Sequence, residues 1–188
     1  MKILITGATG NIGTQVVKYL LEQNTNNEII AGIRNEKDAE ILSNYNEVSY
    51  CIFDFEDPKT FDECLKEIDI LFLLRPPHLS DIDKYFRPLL NKAKEVGVTK
   101  IVFLSVQGAE LSSVIPHYKI EKLIIEYGIE YVFLRPAYFM QNLTTTLLDE
   151  IKNRNEIVLP AGNAKFNWVD THNIGEVAAI AIYNFEEY

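Results

Sequence analysis

The first thirteen residues constrain the fold most strongly. An apolar run, Lys2–Thr6, has the length of a buried strand. Three glycines follow it with two residues between successive members: Gly7, Gly10 and Gly13. The amphipathic segment Asn11–Gln23 then predicts a helix. A strand, a glycine-rich turn and a helix N-terminus in this order bring free backbone N–H groups and a positive dipole end to one point. The motif therefore indicates a phosphate site of the kind that holds a dinucleotide.

Strand-like and helix-like segments alternate along the rest of the chain. The predicted strands are Lys2–Thr6, Glu28–Arg34, Val48–Phe53, Ile70–Leu74, Lys100–Leu104 and Tyr131–Arg135. The predicted helices are Asn11–Gln23, Lys37–Ser43, Pro58–Lys66, Asp81–Val96, Pro116–Tyr127 and Phe139–Lys152. Near-continuous apolar strands that alternate with helices form parallel sheets covered on both faces. The sequence therefore predicts an α/β protein with a doubly wound, mostly parallel, Rossmann-like sheet.

The last part of the chain departs from this pattern. It contains an apolar run at Ile157–Leu159, a turn-rich stretch at 160–163, a short strand at Phe166–Val169 and a last helix at Ile174–Tyr183. A length of 188 residues suits one domain with a sizeable core. We expect residues 1–188 to form a single NAD(P)-binding domain, in which residues 156–188 begin a small or incomplete C-terminal substrate region.

Composition excludes several classes of partner. The net charge is −9 and no cluster of basic residues occurs, so we expect no nucleic-acid surface. No apolar run approaches the ~20 residues of a membrane span, so we expect no membrane segment and a cytoplasmic protein. Cys51 and Cys64 lack metal-type spacing and are expected to be reduced, partly buried thiols. No metal is expected, because His78 and His172 lack clustered partners and are interpreted as loop or surface residues. Monomer and homodimer stay open.

The end of the second predicted strand bears on cofactor choice. An acidic residue there would bind the ribose 2′-hydroxyl of NAD, whereas an arginine suits the 2′-phosphate of NADP. The chain has Arg34 at this point and no acid. We therefore expect NADP(H) to be preferred, with NAD(H) as the second option. The alternative is that Arg34 is a solvated surface arginine.

Several stretches resemble one family. Gly7–Gly13 is similar to the signature of extended and atypical short-chain dehydrogenases/reductases. The stretches Leu73–Pro77, Ile101–Ser105, Leu134–Leu143 and Val169–Ala179 resemble the NmrA-like branch of the atypical members. That branch includes NAD(P)H:quinone reductases and NADP-sensing regulators. Its members usually continue into a C-terminal region that completes the substrate site, and they usually have Asp where this chain has Asn173. The resemblance thus implies a complete cofactor half and an incomplete substrate half.

Candidate cofactor ligands follow from strand ends and from the resemblance. Ligands of doubly wound sheets bind beyond the carboxyl ends of the strands. The resemblance implies that Asp54 and Phe55 lie near the adenine, and that Leu74, Arg75 and Pro76 lie beside the ribose and pyrophosphate. For Arg75, a pair with an acid at the sheet edge is the alternative. The expected cofactor-binding residues are Gly7, Thr9, Gly10, Asn11, Ile12, Gly13, Arg34, Asp54, Phe55, Leu74, Arg75, Ser105 and Lys119.

A catalytic Tyr-x-x-x-Lys pair is the next question. In the wider superfamily, a lysine makes a tyrosine a usable acid/base and a serine orients the carbonyl. Tyr118 and Lys122 match that spacing and Ser105 could be the serine. However, the helical periodicity turns Tyr118 and Lys122 away from the core, towards solvent or a partner. The family spacing instead aligns His117 with the usual lysine, as a residue that lines the cleft or merely begins the helix. The catalytic candidates are Ser105, His117, Tyr118 and Lys122.

Redox chemistry does not require that pair. A hydride can pass to a quinone without an enzymatic acid, because the reduced quinone takes its proton from water, and the protein then only positions two rings. Tyr138, Phe139 and Met140 could form the apolar wall of the substrate pocket, or ordinary core packing. We predict an NADPH-dependent oxidoreductase of the atypical short-chain type that transfers hydride to a quinone-like or small carbonyl substrate. The alternatives are a non-catalytic NADP(H)-binding redox sensor and a sugar-nucleotide epimerase-like enzyme.

Overall fold

Eight strands form two sheets in the computed structural model, which describes residues 1–23, 26–159, 162–163, 165 and 167–188. The strands are β1 (Lys2–Thr6), β2 (Glu28–Ile33), β3 (Val48–Ile52), β4 (Ile70–Leu74), β5 (Lys100–Leu104), β6 (Glu130–Leu134), β7 (Tyr138–Phe139) and β8 (Trp168–Val169). The main sheet is parallel with the order β3-β2-β1-β4-β5-β6, and β7 pairs with β8 in parallel. This confirms the predicted doubly wound α/β fold. β7 was not predicted.

Helices and short 3₁₀ segments connect the strands. The α-helices are α1 (Gly13–Glu22), α2 (Phe61–Cys64), α3 (Ile82–Glu95), α4 (Pro116–Tyr127), α5 (Leu148–Arg154) and α6 (Thr171–Tyr183). The 3₁₀ segments are Glu36–Leu42, Pro58–Thr60, Ala109–Leu111, Met140–Thr144 and Phe185–Glu187. The predicted helix at Lys37–Ser43 is thus a 3₁₀ segment. The turn-rich prediction at 160–163 and the strand prediction from Phe166 include positions 160, 161 and 166, which lie outside the described residues.

The prediction of one continuous helix over Phe139–Lys152 is wrong. Phe139 belongs to β7, and the remainder is split between a 3₁₀ segment and α5. The hydroxyls of Thr144 and Thr145 both donate to the carbonyl oxygen of Gln141, at 3.0 and 2.9 Å. Threonine hydroxyls that bond to nearby carbonyls compete with the helical ladder, which accounts for the break.

Successive side chains of each strand point to opposite faces of the sheet, and each face packs against its own layer of helices. In β1, Leu4 packs with residues of α2, α3 and α4 on one face, whereas Ile3 and Ile5 pack with α1 and α6 on the other. At the contact of α1 with α6, a Cβ on Gly175 would lie 2.4 Å from the Cβ of Gln15, so the two helices approach closely. Thus α6 belongs to the helix layer of the sheet. The boundary at 156 stays a prediction.

The two cysteines are joined, which corrects the expectation of free thiols. Cys51 in β3 and Cys64 in α2 form a disulfide with a Cα–Cα distance of 5.7 Å. The bond forms because α2 crosses back against the edge strand of the sheet, a long-range arrangement that cysteine spacing alone does not reveal. The disulfide ties the edge strand β3 to the end of α2.

No helix in the described parts of the chain is long and apolar enough to cross a membrane. The same residues contain no group of three or more His, Cys, Asp or Glu side chains that could hold a metal ion. The cytoplasmic location and the lack of a nucleic-acid partner stay predictions.

Candidate functional site

The glycine turn is shaped by two positions at which no side chain fits. Gly7 has φ +64°, a left-handed conformation that glycine adopts at no steric cost. A Cβ on Gly13 would lie 2.1 Å from the carbonyl oxygen of Gly7 and 2.7 Å from the Cα of Ala8. Helix α1 therefore starts directly against the turn. A donated hydrogen bond from the N–H of Gly10 to the oxygen of Gly7, at 3.0 Å, closes the turn.

Thr6 fixes the turn to the neighbouring strand. Its buried hydroxyl donates to the carbonyl oxygen of Phe72 at 3.1 Å and accepts from the N–H of Leu74 at 2.8 Å. These bonds tie the end of β1 to the end of β4. As a result, the side chain of Leu74 would lie 3.3 Å from a Cβ on Gly7. The turn thus lies at the carboxyl ends of the central strands, where ligands of such sheets bind.

A cleft opens beside this turn. Its lining residues come from the ends of the first four strands and the loops after them: Gly7, Thr9, Gly32, Arg34, Asp38, Phe53, Asp54, Phe55, Glu56, Pro76, His78 and Leu79. Five predicted cofactor residues are thereby brought together: Gly7, Thr9, Arg34, Asp54 and Phe55. Gly10 and Asn11 are exposed in the turn, and Ile12 and Gly13 are buried at the start of α1.

Sequence reasoning missed part of the lining. A Cβ on Gly32 would lie 3.2 Å from both the oxygen of Ile5 and the Cβ of Phe53, a close approach that favours glycine on the cleft floor. The side-chain amide of Asn35 donates to the carboxylate of Asp38 at 2.9 Å, beside Arg34. The signal that could have found Asp38 is an Asn with an acid three residues later, a pattern of helix starts.

The wall that carries Asp54 and Phe55 is held by local bonds. The carboxylate of Asp54 accepts the N–H of Glu56 at 2.9 Å, and its own N–H donates to the hydroxyl of Thr60 at 3.0 Å. The ring of Phe55 packs against those of Phe53 and Phe86, at 5.1 and 5.2 Å between centroids. The Asp54 carboxylate thus shapes its own turn.

Arg75 stabilises the cleft wall formed by the loop after β4, which contains Pro76 and Leu79. Its Nη1 donates to the carbonyl oxygens of Pro76, Pro77 and Leu79 at 3.1, 2.9 and 2.9 Å. Its Nε donates to Nε2 of His117 at 3.4 Å. The partners of Arg75 are therefore carbonyls and an imidazole, rather than the acid considered above. Direct contact of Arg75 with a cofactor stays a prediction.

His117 is a neutral, half-buried group beneath that wall. Its ring stacks on Phe103 with 6.0 Å between centroids. Burial lowers the pKa of His117 to about 4, and the nearby charge of Arg75 acts in the same direction. At neutral pH the imidazole therefore accepts the bond from Arg75 and couples the start of α4 to the cleft wall.

The buried carboxylate of Glu121 links Ser105 to the partly exposed Arg135. The hydroxyl of Ser105, itself 1% exposed, donates to Oε1 of Glu121 at 2.5 Å. Arg135 donates to both carboxylate oxygens of Glu121, at 2.9 and 2.7 Å, and lies 3.5 Å from Glu110. Burial acts to raise the pKa of Glu121, but the bonds from Arg135 and Ser105 outweigh it and the pKa is lowered.

Sequence reasoning did not find Glu121 or Arg135. The available signals were an acid next to the apolar face of α4 and an arginine at the end of the sixth strand. These two residues affect the expected chemistry, because the Ser105 hydroxyl, a candidate for orienting a substrate, already donates to the carboxylate of Glu121.

The Tyr118 and Lys122 pair lies elsewhere. The ammonium of Lys122 stands 5.5 Å from the ring centroid of Tyr118. Both residues line surface grooves formed with the outer side of α4, together with the exposed Lys119 in one of them, and none of the three lines the cleft. The helical periodicity is therefore consistent with where these side chains lie.

The three aromatic and apolar candidates lie after β6. Tyr138 and Phe139 are half-buried in β7, and the ring of Tyr138 meets that of Trp168 edge-on at 5.1 Å. Met140 is 45% exposed. Gln141 holds this segment to the start of α6, because its side chain bonds to Asp170 at 2.8 Å and to the N–H of Thr171 at 3.0 Å.

The sheet order, the glycine turn against α1 and the cleft at the strand ends define a Rossmann-like α/β protein of the dinucleotide-binding type. The model of the NmrA-like family matches residues 1–188, and the chain belongs to that family. The family assignment confirms the resemblance carried by the sequence motifs.

Individual relatives are longer than this chain. Prestalk A differentiation protein A of Dictyostelium discoideum is 36% identical over 182 residues, which are 97% of this chain and 60% of that protein. The NADPH-dependent quinone oxidoreductase of Escherichia coli, solved with NADPH, matches with TM-score 0.84 and 25% identity, over 97% of this chain and 65% of that one. The triphenylmethane reductase of Citrobacter sp., solved with NADP(H), matches with TM-score 0.82 and 26% identity, over 96% and 65%. The chain thus spans about 60% of the length of the curated relatives that it matches over nearly all of its own length.

Proposed function

We propose that this chain binds NADP(H) in the cleft beside the glycine turn and transfers hydride to a quinone-like acceptor. The observation that carries the proposal is the placement of Arg34 and the Gly7 turn on one cleft, since a 2′-phosphate and a pyrophosphate need both. The turn suits such a group, because Gly10 and Asn11 are exposed there and α1 begins directly after them at Gly13. The similarity to reductases solved with NADPH or NADP(H) supports the same cofactor.

The choice of acceptor follows from the ionic network. A bound nicotinamide would supply the hydride. A ketone must gain a proton as it gains the hydride, whereas a quinone can take its proton from water afterwards. The Ser105 hydroxyl donates a hydrogen bond to Glu121, and Tyr118 and Lys122 line grooves outside the cleft, so none of the three is placed to protonate an acceptor in the cleft. This favours quinones and similar conjugated acceptors over simple carbonyls. It also speaks against an epimerase, which would need the Tyr–Lys pair.

Binding is tested by the variant Arg34→Ala. Loss of one charge-assisted contact to the 2′-phosphate should weaken NADPH roughly tenfold to a hundredfold and leave NADH nearly unchanged. Arg154→Ala is the matched control, because Arg154 is exposed and does not line the cleft. Equilibrium titration of both cofactors measures the effect. Equal losses for NADPH and NADH would contradict the 2′-phosphate assignment.

Turnover is tested with acceptors of two kinds. NADPH oxidation should be measurable with a quinone and at least tenfold slower with a ketone of similar size, for the reason of proton supply given above. The non-catalytic sensor is the second candidate, and the engagement of Ser105 by Glu121 favours it. Tight NADPH binding without turnover across a panel of quinones would decide for the sensor. A ketone reduced as fast as a quinone would contradict the acceptor argument.

A further inference from the structure

The disulfide encloses one wall of the cleft. Four cleft residues, Phe53 to Glu56, lie between Cys51 and Cys64, which are 13 positions apart. The covalent bond therefore closes a loop whose first half faces the site. Within that loop, the segment is otherwise held by the bonds of Asp54 to Glu56 and Thr60 and by ring packing.

The disulfide can be approached from outside the cleft. A separate surface groove beside the edge strand β3 is lined by both cysteines together with Lys2, Tyr50, Thr60 and Lys66. Cys51 is half-buried, whereas Cys64 is 2% exposed. Cys51 is thus the more accessible of the two cysteines to an attacking thiolate, which would not have to enter the cofactor cleft.

We propose that the Cys51–Cys64 disulfide is a redox-sensitive clamp on the wall of the cofactor cleft, opened by a dithiol reductant. A thiolate of the reductant bonds to the Cys51 sulfur, the disulfide breaks, and Cys64 leaves as a thiolate that takes up a proton. The second thiol of the reductant then displaces Cys51, which is protonated in turn. The reductant is released as its own disulfide, so two electrons and two protons pass to the protein.

Opening the clamp should lower cofactor affinity. Without the cross-link, the Phe53–Glu56 wall samples more conformations in the free protein, and binding must order it again. Because hydrogen bonds and ring packing persist, we expect a loss of roughly threefold to tenfold. By linkage, bound NADPH favours the disulfide by the same factor. A tenfold difference in affinity corresponds to a shift of about 30 mV in the reduction potential of the disulfide, which is a two-electron couple.

The experiment measures NADPH affinity in both redox states. This inference rests on the proposed cofactor binding. NADPH is titrated into oxidised protein, into protein reduced with dithiothreitol, and into the double variant C51S/C64S. Weaker binding is expected for the reduced protein and for the variant, and the variant should not respond to dithiothreitol. Alkylation of thiols followed by mass measurement, in dithiothreitol redox buffers with and without NADPH, should show that NADPH protects the disulfide.

The outcomes separate the two proposals. Equal affinity of oxidised and reduced wild type would overturn the clamp and leave the proposed function intact. No NADPH binding in either state would overturn both. If the double variant does not fold, as judged by circular dichroism, the proposal is still tested by two measurements on the wild type. These are the NADPH affinities of the oxidised and reduced protein, and the protection of the disulfide by NADPH.

Discussion

Glu121→Gln would replace one charge in the network of Ser105 and Arg135 and leave the side-chain volume nearly unchanged. In the folded chain, Oε1 accepts from Ser105 and from Nε of Arg135, and Oε2 accepts from Nη2 of Arg135 at 2.7 Å. A glutamine can retain the two bonds to its oxygen. Its NH₂ group must then face the Nη2 donor, so one charge-assisted bond is lost and two donors oppose each other.

The expected cost is about 2–3 kcal/mol in the free energy of unfolding. A hydrogen bond to a charged group contributes ~1.5–3 kcal/mol, and a buried ion left without its partner costs more. The side chain of Arg135 is 36% exposed and lies 3.5 Å from Glu110, so water and that acid offset part of the loss. For a chain of this size, the change corresponds to a lower Tm by roughly 5–10 °C.

The pH dependence gives an independent check. The pKa of Glu121 in the folded chain is lowered from its usual value of 4.5. A lowered carboxyl pKa stabilises the folded state fully above the unfolded value, and this contribution is lost as pH falls through the folded value. The difference between wild type and variant should thus be constant from pH 6 to 8 and shrink below about pH 4.

The assay is urea denaturation followed by circular dichroism at pH 7 and at lower pH. Glu126→Gln is the matched control, since Glu126 lies on the same helix, is exposed, and makes one long contact of 3.7 Å with Arg87. The control should leave the free energy of unfolding nearly unchanged. A loss below about 1 kcal/mol for Glu121→Gln at pH 7, or a loss equal to the control, would refute the reasoning.

Three further changes test other parts of the structure. Gly13→Ala places a Cβ 2.1 Å from the Gly7 oxygen and should weaken NADPH binding more than tenfold by titration, whereas Gly10→Ala, at 3.3 Å, should cost less. His117 has a folded pKa of about 4 against 6.5 when unfolded, so the unfolded chain binds more protons between these values. Wild-type stability in urea should therefore fall from pH 7 to pH 5, and that of His117→Gln should fall less. Tyr118→Phe should leave any quinone turnover within about twofold, since its groove lies outside the cleft; a loss of orders of magnitude would show that the groove is catalytic.

The main sheet was predictable because each of its strands is encoded by a short stretch of neighbouring residues. Each strand is an apolar run of about five residues, and strands such as Ile70–Leu74 have the predicted bounds. The glycine turn was also local, since Gly7 and Gly13 are six positions apart in sequence and in contact. The disulfide, the bond of Arg75 to His117 and the network of Glu121 were not predictable in this way. Each joins residues at least 13 positions apart, and only the crossing of helices over the sheet brings them together.

The proposed cofactor binding and the proposed chemistry depend on different parts of this molecule. The turn at Gly7 and Gly13 is set by steric exclusion within the chain, because a Cβ on Gly13 would meet the backbone of Gly7 and Ala8, and it leaves bare backbone beside the cleft for the proposed cofactor. The end of β5, where superfamily enzymes keep a free serine, is instead committed to structure through Glu121 and Arg135. Freeing the Ser105 hydroxyl for a substrate would leave the buried Glu121 short of a donor, a cost that substrate binding would have to offset. The proposed hydride transfer would therefore rest on the positioning of two rings rather than on proton donation.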